Sequence, residues 1–364
     1  MAAFRFPHRI ERLRAKLEVE KLDAILISNA ENRRYLSGFV GTAGWLFVSR
    51  NEAVLCTDFR YVEQAGLQAP GFRVDRAAAK LDWMPKLCAE AGALRVGFES
   101  DNITVAQFDR MNQTFDEAKS TAPNAQLVPT QGFTLALRAI KDAEEVRLVS
   151  KAIDIADRAF EEVSDGLMPG ITEAEVAWRI EQAVRRRGAE SISFETIVGA
   201  GPNGARPHHR AGGDVLREGQ LIVIDMGARF EGYCSDLTRT VLLGKADAQS
   251  KKVYDIVLAA QLAAIEIVRA GMTGAECDAI SRKVIEEAGY AESFGHSLGH
   301  GVGLEVHENP GVGPNSQGKL EDGMMFTIEP GIYITGWGGV RIEDVVVLEG
   351  GKARVVSNAR KMKF

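Results

Sequence analysis

The sequence predicts a two-domain α/β protein, on three observations. Its 364 residues exceed the roughly 150 residues of a typical single domain. Over residues 1–132, short apolar runs typical of strands alternate with helical patterns, as in an α/β layer domain. Residues 133–364 instead contain two similar halves, which predicts an α+β domain with an internal pseudo-two-fold repeat.

Composition and charge exclude several classes of protein. Hydrophobic residues make up 45% and charged residues 26% of the chain, which is typical of a globular protein and not of a disordered one. The net charge of −6 lacks the basic field of a nucleic-acid binder. No apolar run approaches the ~18 residues of a membrane span, and residues 1–7 lack a signal-peptide core. We therefore expect a cytoplasmic protein with neither a membrane nor a nucleic-acid partner.

The sequence of the first domain predicts alternating helices and strands. Helical periodicity covers residues 10–19 and strand patterns follow. The expected strands are 23–27, 45–49, 53–57 and 95–99, and the further expected helices are 58–68 and 81–91. The periodicity lapses over residues 123–132, which places the domain boundary after residue 132. Cys88 and Cys277 are expected to be buried as small apolar residues.

The second domain repeats a pair of helices. A long amphipathic helix is followed by a Gly-x-Thr-x-x-Glu segment with capping-box spacing and a later glycine, and the same order recurs 101 residues downstream. The matched pairs are Gly170 with Gly271, Thr172 with Thr273, Glu175 with Glu276 and Gly188 with Gly289. Four matches in register indicate a duplicated unit.

The strands repeat as well, and each half ends its strands in carboxylates. Asp225 follows a buried run in the first half, as Glu329 does in the second, and further acids, Asp236 and Glu343, lie in the next strand-like runs. A pseudo-two-fold axis would bring these four carboxylates together. Four unpaired carboxylates cannot all stay ionised in a desolvated site, so the pattern predicts bound cations. Two divalent ions with one hydroxide would nearly balance the four charges.

A histidine-rich segment supplies nitrogen ligands. His296, His300 and His307 lie in a glycine-rich stretch that lacks the H-E-x-x-H helix of zinc proteases. The alternation of Val302, Leu304 and Val306 predicts a half-buried strand there. Carboxylates with imidazole favour Mn, Co or Zn over Cu(I).

A competing motif occurs near the middle of the chain. Residues 199–204 fit G-x-G-x-x-G, and Asp225 follows at about the spacing of a dinucleotide fingerprint. That fingerprint needs a helix directly after the glycines, whereas Pro207, Gly212 and Gly213 interrupt the segment. The sequence therefore disfavours a nicotinamide-dependent oxidoreductase.

Several ordered motifs resemble the metal-dependent Xaa-Pro peptidases, namely aminopeptidase P, prolidase and, more distantly, methionine aminopeptidase. They are residues 225–240, 296–308, 328–331 and 340–344, and residues 35–44 resemble the same peptidases more weakly. The resemblance implies a creatinase/prolidase-like α/β domain before a catalytic domain of the pita-bread fold. It also implies a homodimer.

The resemblance assigns metal ligands. Asp225 would chelate one metal, His300 with Glu329 would bind the other, and Asp236 with Glu343 would bridge the two. Two divalent ions per chain are implied, with Mn²⁺ as the expected metal and Co²⁺ or Zn²⁺ as alternatives.

Other residues match positions around the metals. His208, His296 and His307 match positions that contact substrate or stabilise charge, and Arg341 matches one that supports the metal site. His209 matches no such position, and a structural role is expected for it.

Together these features predict an aminopeptidase that cleaves peptides with proline at the second position. A hydroxide shared by two metals is a nucleophile at neutral pH, Glu329 would relay a proton, and His296 or His307 would donate to the oxyanion. Trp337 and Phe294 are expected to line the proline pocket. The alternatives are an Xaa-Pro dipeptidase (prolidase) and a non-catalytic binding protein on the same fold.

Overall fold

The computed structural model of the chain describes residues 4–77 and 80–363. Contacts divide it into two compact units, Met1–Arg138 and Ala139–Phe364. The sequence placed the boundary after residue 132, and the short helix Leu135–Arg138 that follows packs with the first unit. Its Leu137 carbonyl accepts a hydrogen bond from the Tyr35 hydroxyl at 3.3 Å. No helix in the described part of the chain is both long and apolar enough to cross a membrane.

The first unit is one six-stranded sheet with helices. The strand order is β4-β3-β2-β1-β5-β6, and the central β1 pairs antiparallel with β2 and parallel with β5. The strands are β1 (Ala24–Ile27), β2 (Trp45–Ser49), β3 (Ala53–Thr57), β4 (Arg73–Arg76), β5 (Arg95–Glu99) and β6 (Gln126–Thr130). The helices are α1 (Pro7–Val19), α2 (Ala30–Ser37), α3 (Val62–Gln68), α4 (Trp83–Ala91), α5 (Val105–Glu117) and α6 (Leu135–Arg138).

All four strands expected in the first unit are present. The edge strands β4 and β6 and the helices α2, α5 and α6 were not predicted. No residue of β4 or β6 is fully buried, three of the four β4 residues are charged, and β6 contains Pro129, so neither shows the pattern that marks a buried strand. α5 begins at Thr104, which forms a capping box with Gln107.

The second unit contains the duplicated helices and thirteen strands among its described residues. The helices are α7 (Ala143–Asp165), α8 (Glu173–Arg186), α9 (Ala248–Ile267) and α10 (Gly274–Glu287). The strands of the first half are β7 (Ser191–Ile192), β8 (Ile197–Ala200), β9 (Leu221–Met226), β10 (Ala228–Phe230), β11 (Tyr233–Cys234) and β12 (Leu237–Leu242). Those of the second half are β13 (Gly299–Gly301), β14 (Glu308–Val312), β15 (Met325–Ile328), β16 (Gly331–Ile334), β17 (Gly338–Arg341), β18 (Asp344–Glu349) and β19 (Lys352–Val355).

Each half has its own hydrophobic core. α7 and α8 pack with β9 and β12 in one cluster of buried residues, whereas α9 and α10 pack with β15 and β18 in another. The principal sheets are β12-β9-β8 in the first half and β14-β13-β15-β18-β19 in the second. The two-half architecture predicted from the repeat is therefore the observed one.

The helix caps repeat with one difference. Thr172 accepts a hydrogen bond from Glu175 N at 3.1 Å, and Thr273 accepts one from Glu276 N at 3.1 Å. Only the second box closes, because Glu276 returns to the Thr273 backbone whereas Glu175 pairs with Arg179. The sequence spacing does not show which of these partners each carboxylate takes.

Two local predictions have different outcomes. Cys88 and Cys277 are buried, and burial raises the pKa of each thiol to about 12. The strand expected over residues 302–306 is wrong, because this segment bends between β13 and β14. Gly303 allows the bend, since a Cβ there would meet the Glu308 carboxylate at 2.3 Å.

Candidate metal centre

The first half places two carboxylates on neighbouring strands. β9 and β12 pair antiparallel, with Asp225 opposite Thr238, and Asp236 lies directly before β12. Alternate residues of a strand point to the same face, so Asp236 and Thr238 share one. Asp236 is only 5% exposed.

The second half repeats this arrangement. β15 and β18 pair antiparallel, Glu329 follows the first strand and Glu343 precedes the second. The β16–β17 hairpin connects them. Glu343 is only 1% exposed. Each half therefore delivers one carboxylate at the end of a buried strand and another at the start of its partner.

His300 joins the acids of the two halves. Its Nε2 lies 3.2 Å from Glu329 Oε1 and 3.6 Å from Asp236 Oδ2. Its Nδ1 lies 3.1 Å from the Gly301 carbonyl oxygen, which can only accept a hydrogen bond. Nδ1 therefore carries a proton, and Nε2 is the ring nitrogen that faces the carboxylates. Ligand atoms of Asp236, His300 and Glu343 all lie within 4.8 Å of one another.

Burial makes the charges of this cluster costly. It raises the pKa of Asp236 well above its usual range, and the nearby charge of Glu343 adds to the effect. Burial likewise raises the pKa of Glu343, reinforced by Glu329 and Asp225. Both carboxyls are therefore harder to ionise than free ones unless a cation compensates the charge.

The other two acids have cationic neighbours in the protein. Burial raises the pKa of Asp225, although Arg341 Nη2 donates to its Oδ2 at 2.6 Å and opposes the rise. Burial would also raise the pKa of Glu329, but the hydrogen bond with His300 and its charge lower it overall. The site is therefore short of positive charge mainly at Asp236 and Glu343.

Two buried oxygens point to ligands beyond the protein. Asp225 Oδ1 and Glu343 Oε1 are buried and have no hydrogen-bond partner among the described residues. A buried carboxylate oxygen without a partner is costly, and a coordinated cation would satisfy it. Carboxylates with one imidazole are the donor set that borderline divalent metals accept. The residues of the cluster therefore fit divalent cations.

A chain of hydrogen bonds leads away from Asp225. Arg341 Nη1 donates to the Tyr333 hydroxyl at 2.8 Å, and that hydroxyl lies 2.8 Å from His296 Nε2. His296 Nδ1 lies 2.8 Å from the Ser297 carbonyl oxygen. Nδ1 must therefore be the protonated nitrogen, and Nε2 accepts from Tyr333. Burial, which lowers the pKa of His296, favours this neutral form.

One cavity of about 1050 Å³ brings the predicted residues together. All nine of them line it: His208, Asp225, Asp236, His296, His300, His307, Glu329, Arg341 and Glu343. The His307 ring lies edge-on to His300 with centroids 4.1 Å apart. Burial, reinforced by His300, lowers the pKa of His307, which keeps it neutral near neutral pH.

The sequence missed some residues of the site and misplaced others. Tyr333 and Thr238 were not singled out, although Thr238 Oγ1 donates to Glu343 Oε2 at 2.7 Å. The two-residue spacing from Asp236 would have placed Thr238 on the same face. Phe294 and Trp337 are not among the described residues that line the cavity, because both pack into the core of the second half.

His209 is turned away from the metal cluster. Its Nε2 lies 2.7 Å from Glu173 Oε2, and it lines a neighbouring cavity that shares Phe194, Ile197 and His208 with the larger one. The structural role expected for it agrees with this contact.

Comparison with known proteins identifies the family. Residues 147–349 match metallopeptidase family M24, and residues 9–140 match the creatinase/prolidase N-terminal domain. The chain belongs to metallopeptidase family M24. The α/β first unit and the duplicated second unit are therefore the creatinase/prolidase-like and pita-bread domains that the motifs predicted.

Three relatives of this M24 peptidase cover nearly its whole length. The solved Xaa-Pro dipeptidase from Bacillus anthracis is 42% identical, with 98% of each chain covered and a TM-score of 0.93. The X-Pro aminopeptidase from Thermotoga maritima is 36% identical over 97% of this chain and 99% of its own, with a TM-score of 0.87. The Xaa-Pro dipeptidase of Pyrococcus horikoshii is 34% identical over 97% of this chain and 98% of its own.

Proposed function

We propose that this M24 peptidase is an Xaa-Pro dipeptidase that uses two divalent metal ions. The observation that carries the proposal is the buried cluster of four carboxylates and one imidazole in a large cavity. Two of the three relatives above are named Xaa-Pro dipeptidases. They favour a dipeptide substrate over the longer peptides expected from the sequence.

The cluster would hold the two metals through five side chains. Asp225, Asp236, His300, Glu329 and Glu343 are the proposed ligands, and the unpaired buried oxygens of Asp225 and Glu343 support that role. Mn²⁺ is the proposed metal, with Co²⁺ and Zn²⁺ as the alternatives to test. When bound, such a metal pair lowers the pKa of water and polarises a carbonyl group.

Arg341 and Tyr333 orient the site. The guanidinium of Arg341 holds Asp225 at 2.6 Å and Tyr333 at 2.8 Å, so one buried cation fixes a carboxylate and a hydroxyl together. Tyr333 engages Nε2 of His296, whose Nδ1 is bound to a carbonyl. With both ring nitrogens occupied, His296 is assigned to hold Tyr333 rather than to donate to an oxyanion.

His307 and His208 are the proposed substrate contacts. Both line the cavity, and we assign His307 to donate a hydrogen bond to the carbonyl oxygen as negative charge develops on it. Glu329 Oε1 is engaged by His300 at 3.2 Å and by Thr327 Oγ1 at 3.0 Å. Proton transfer toward the leaving nitrogen is therefore assigned to the other oxygen, Oε2.

An apolar wall would receive the proline ring. Phe194, Ile197, Val306 and Val312 line the cavity together with the charged residues. A proline ring has no N–H and presents a rigid apolar surface, so a wall without polar groups suits it. These four residues replace Phe294 and Trp337 as the proposed proline pocket.

The test is peptide cleavage by metal-stripped protein with and without added Mn²⁺, Co²⁺ or Zn²⁺. Ala-Pro, Ala-Pro-Ala and Ala-Ala-Ala are offered separately, and released alanine is measured. Metal-dependent cleavage of Ala-Pro well above the other two peptides is the expected result. Two metal equivalents per chain, counted by elemental analysis, are expected alongside.

An aminopeptidase acting on longer peptides is the second candidate, because the Thermotoga maritima relative carries that name. Preference for Ala-Pro-Ala would select it. Preference for Ala-Ala-Ala would reject the proline pocket, and no cleavage with two metals bound would favour a binding protein. The homodimer and the cytoplasmic location stay predictions, and sedimentation of the purified protein tests the first.

A further inference from the structure

Both halves of the catalytic unit tie a cavity-lining loop to the N-terminus of a helix. At the start of α8, Glu173 N donates to Asp214 O at 3.0 Å and Ala174 N to Gly212 O at 3.0 Å. At the start of α10, Gly274 N and Ala275 N donate in the same way to the loop carbonyls of residues 318 and 316. The first turn of a helix has N–H groups without intrahelical partners, and these loops satisfy them.

Only the first half adds a side chain to this attachment. Glu173 is fully buried, and its Oε1 accepts from Ala200 N at 2.9 Å and from Asn203 Nδ2 at 2.8 Å. Its Oε2 lies 2.7 Å from His209 Nε2 and accepts from Gly212 N at 3.3 Å. A buried carboxylate needs this many partners to offset its lost hydration. The four contacts span the loop from one end to the other.

The loop held by Glu173 carries His208 into the cavity. His208 lies beside His209, the residue that contacts Glu173, and lines the cavity with Arg206 and Pro207. His208 is close enough to His307 for its charge to contribute to the lowered pKa of that residue. The position of the His208 ring therefore depends on the backbone that Glu173 anchors.

The second half of the repeat has no carboxylate at the equivalent position, so this side chain is not needed for the fold that the two halves share. Gly274 occupies the position equivalent to Glu173 in the repeat, 101 residues downstream. A Cβ at Gly274 would meet Gly311 O at 2.2 Å, so the opposite loop packs directly on the helix backbone. The buried acid is specific to the half that presents His208.

We propose that Glu173 is a positioning residue that fixes His208 at the substrate cavity. The inference rests on the proposed peptidase function. If the proposal is correct, replacing Glu173 lowers kcat because His208 is displaced. The same replacement also loosens the loop that carries His208.

The first experiment is a double-mutant cycle on the metal-loaded enzyme. Glu173→Gln keeps the size of the side chain but faces an amide N–H₂ toward Gly212 N–H. We expect kcat on Ala-Pro to fall by about tenfold to a hundredfold, as for a displaced catalytic group. In a His208→Ala background the same change lowers kcat less than about twofold, because the group being positioned is gone. If Glu173→Gln lowered kcat equally in the wild-type and His208→Ala backgrounds, the proposal would be wrong.

The second experiment measures the loop without peptide turnover. Arg210 is exposed, and trypsin cleaves after it, whereas Pro207 blocks cleavage after Arg206. We expect native-state cleavage after Arg210, identified by fragment mass, to accelerate at least about fivefold in Glu173→Gln, since anchoring contacts suppress local opening. Unchanged cleavage would also overturn the proposal.

The matched control is Glu175→Gln, the same chemical change on the same helical turn. Glu175 is 44% exposed in its side chain and pairs with Arg179 at 2.8 Å. Both readouts should stay at wild-type values, and a fall in kcat here equal to that of Glu173→Gln would reject a specific role. A wild type that cleaves no peptide contradicts the proposed function and the assignment to turnover together. The trypsin assay would then still decide whether Glu173 anchors the loop.

Discussion

The two halves of the catalytic unit have similar backbones and different charges. In the first half, Asp225 and Asp236 contribute two carboxylates to the cavity, while the cation of β12, Arg239, pairs with Asp344 of the second half. In the second, Glu329 lies 3.2 Å from His300, and the hairpin between Glu329 and Glu343 ends at Arg341, so acids and cations come together. Duplication preserved the strand ends that aim side chains inward, and divergence divided the charges between the copies.

Because the charges are divided in this way, neither half forms the candidate site without the other. Arg341 of the second half neutralises Asp225 of the first at 2.6 Å, and Thr238 of the first half binds Glu343 of the second at 2.7 Å. His300 reaches Asp236 across the same boundary at 3.6 Å. Three contacts of the cluster therefore join the two halves, beside those within the second half such as His300 with Glu329 at 3.2 Å.

The strongest test removes the acid with the greatest excess of negative charge around it. Asp236→Ala should lower peptide cleavage about a thousandfold or more, since Asp236 is proposed as a ligand shared by both metals and such a ligand supplies several kcal/mol of charge stabilisation. Cleavage and bound metal are measured together with metal in excess. Asp75→Ala, on the edge strand β4 of the other unit and 38% exposed in its side chain, should leave both near wild type. Cleavage within a few-fold of wild type in Asp236→Ala would refute the two-metal assignment.

A smaller effect is expected from the hydroxyl that joins the halves. Thr238→Val removes the bond to Glu343 and the acceptor for Arg341 Nε at 3.0 Å. Metal affinity should fall about tenfold to a hundredfold, as for partners that orient metal ligands, measured by isothermal titration. Thr196→Val is the control, because the buried Thr196 hydroxyl has no partner among the described residues. Equal affinities in both variants would mean that the metal site does not depend on this cross-half contact.

The comparison also shows what the sequence could predict. The repeat and the strand-end acids are visible because they recur with short apolar runs at a nearly fixed offset, and His300 is visible because it lies in a segment rich in histidine and glycine. Partners distant in sequence are not visible. Tyr333 joins Arg341 to His296, and nothing in its neighbourhood indicates this.

Two aromatic residues and one glutamate show why the packing of a side chain could not be predicted from the sequence. Phe294 and Trp337 were assigned to the cavity for their type, yet both side chains pack with the core of the second half. Glu173 was not singled out, because it is an acid in the first turn of a helix, and only the folded structure shows that it is buried. The direction in which a side chain points and the extent of its burial depend on contacts between segments that are far apart in the chain.

The glycine of the second half provides a test of backbone packing. Gly274→Ala places a Cβ 2.2 Å from Gly311 O, so either α10 or the loop must shift. We expect a loss of about 1–3 kcal/mol in the free energy of unfolding, measured by denaturant titration. Gly318→Ala is the matched control, because a Cβ there meets nothing within 4 Å. Similar losses in both variants would show that this close approach does not stabilise the second half.

The smallest expected effect concerns a buried acid of the first half that lies outside the metal cluster. Asp157 on α7 accepts from Asn358 N at 2.7 Å, and burial raises its pKa from 3.8 to about 6. The folded state then binds more protons than the unfolded state between these values, so stability falls as pH rises. The loss is about 1 kcal/mol between pH 5 and 7.

Asp157→Asn should remove this slope, whatever it does to the absolute unfolding midpoint. Asp154→Asn is the control, because Asp154 is partly exposed and paired with Lys151 and Arg158, and the slope should survive there. The measurement compares the unfolding midpoints of the wild type, Asp157→Asn and Asp154→Asn at pH 5 and at pH 7. An unchanged slope in Asp157→Asn would mean that Asp157 does not cause it, and that other buried acids with raised pKa values, such as Asp236 and Glu343, do.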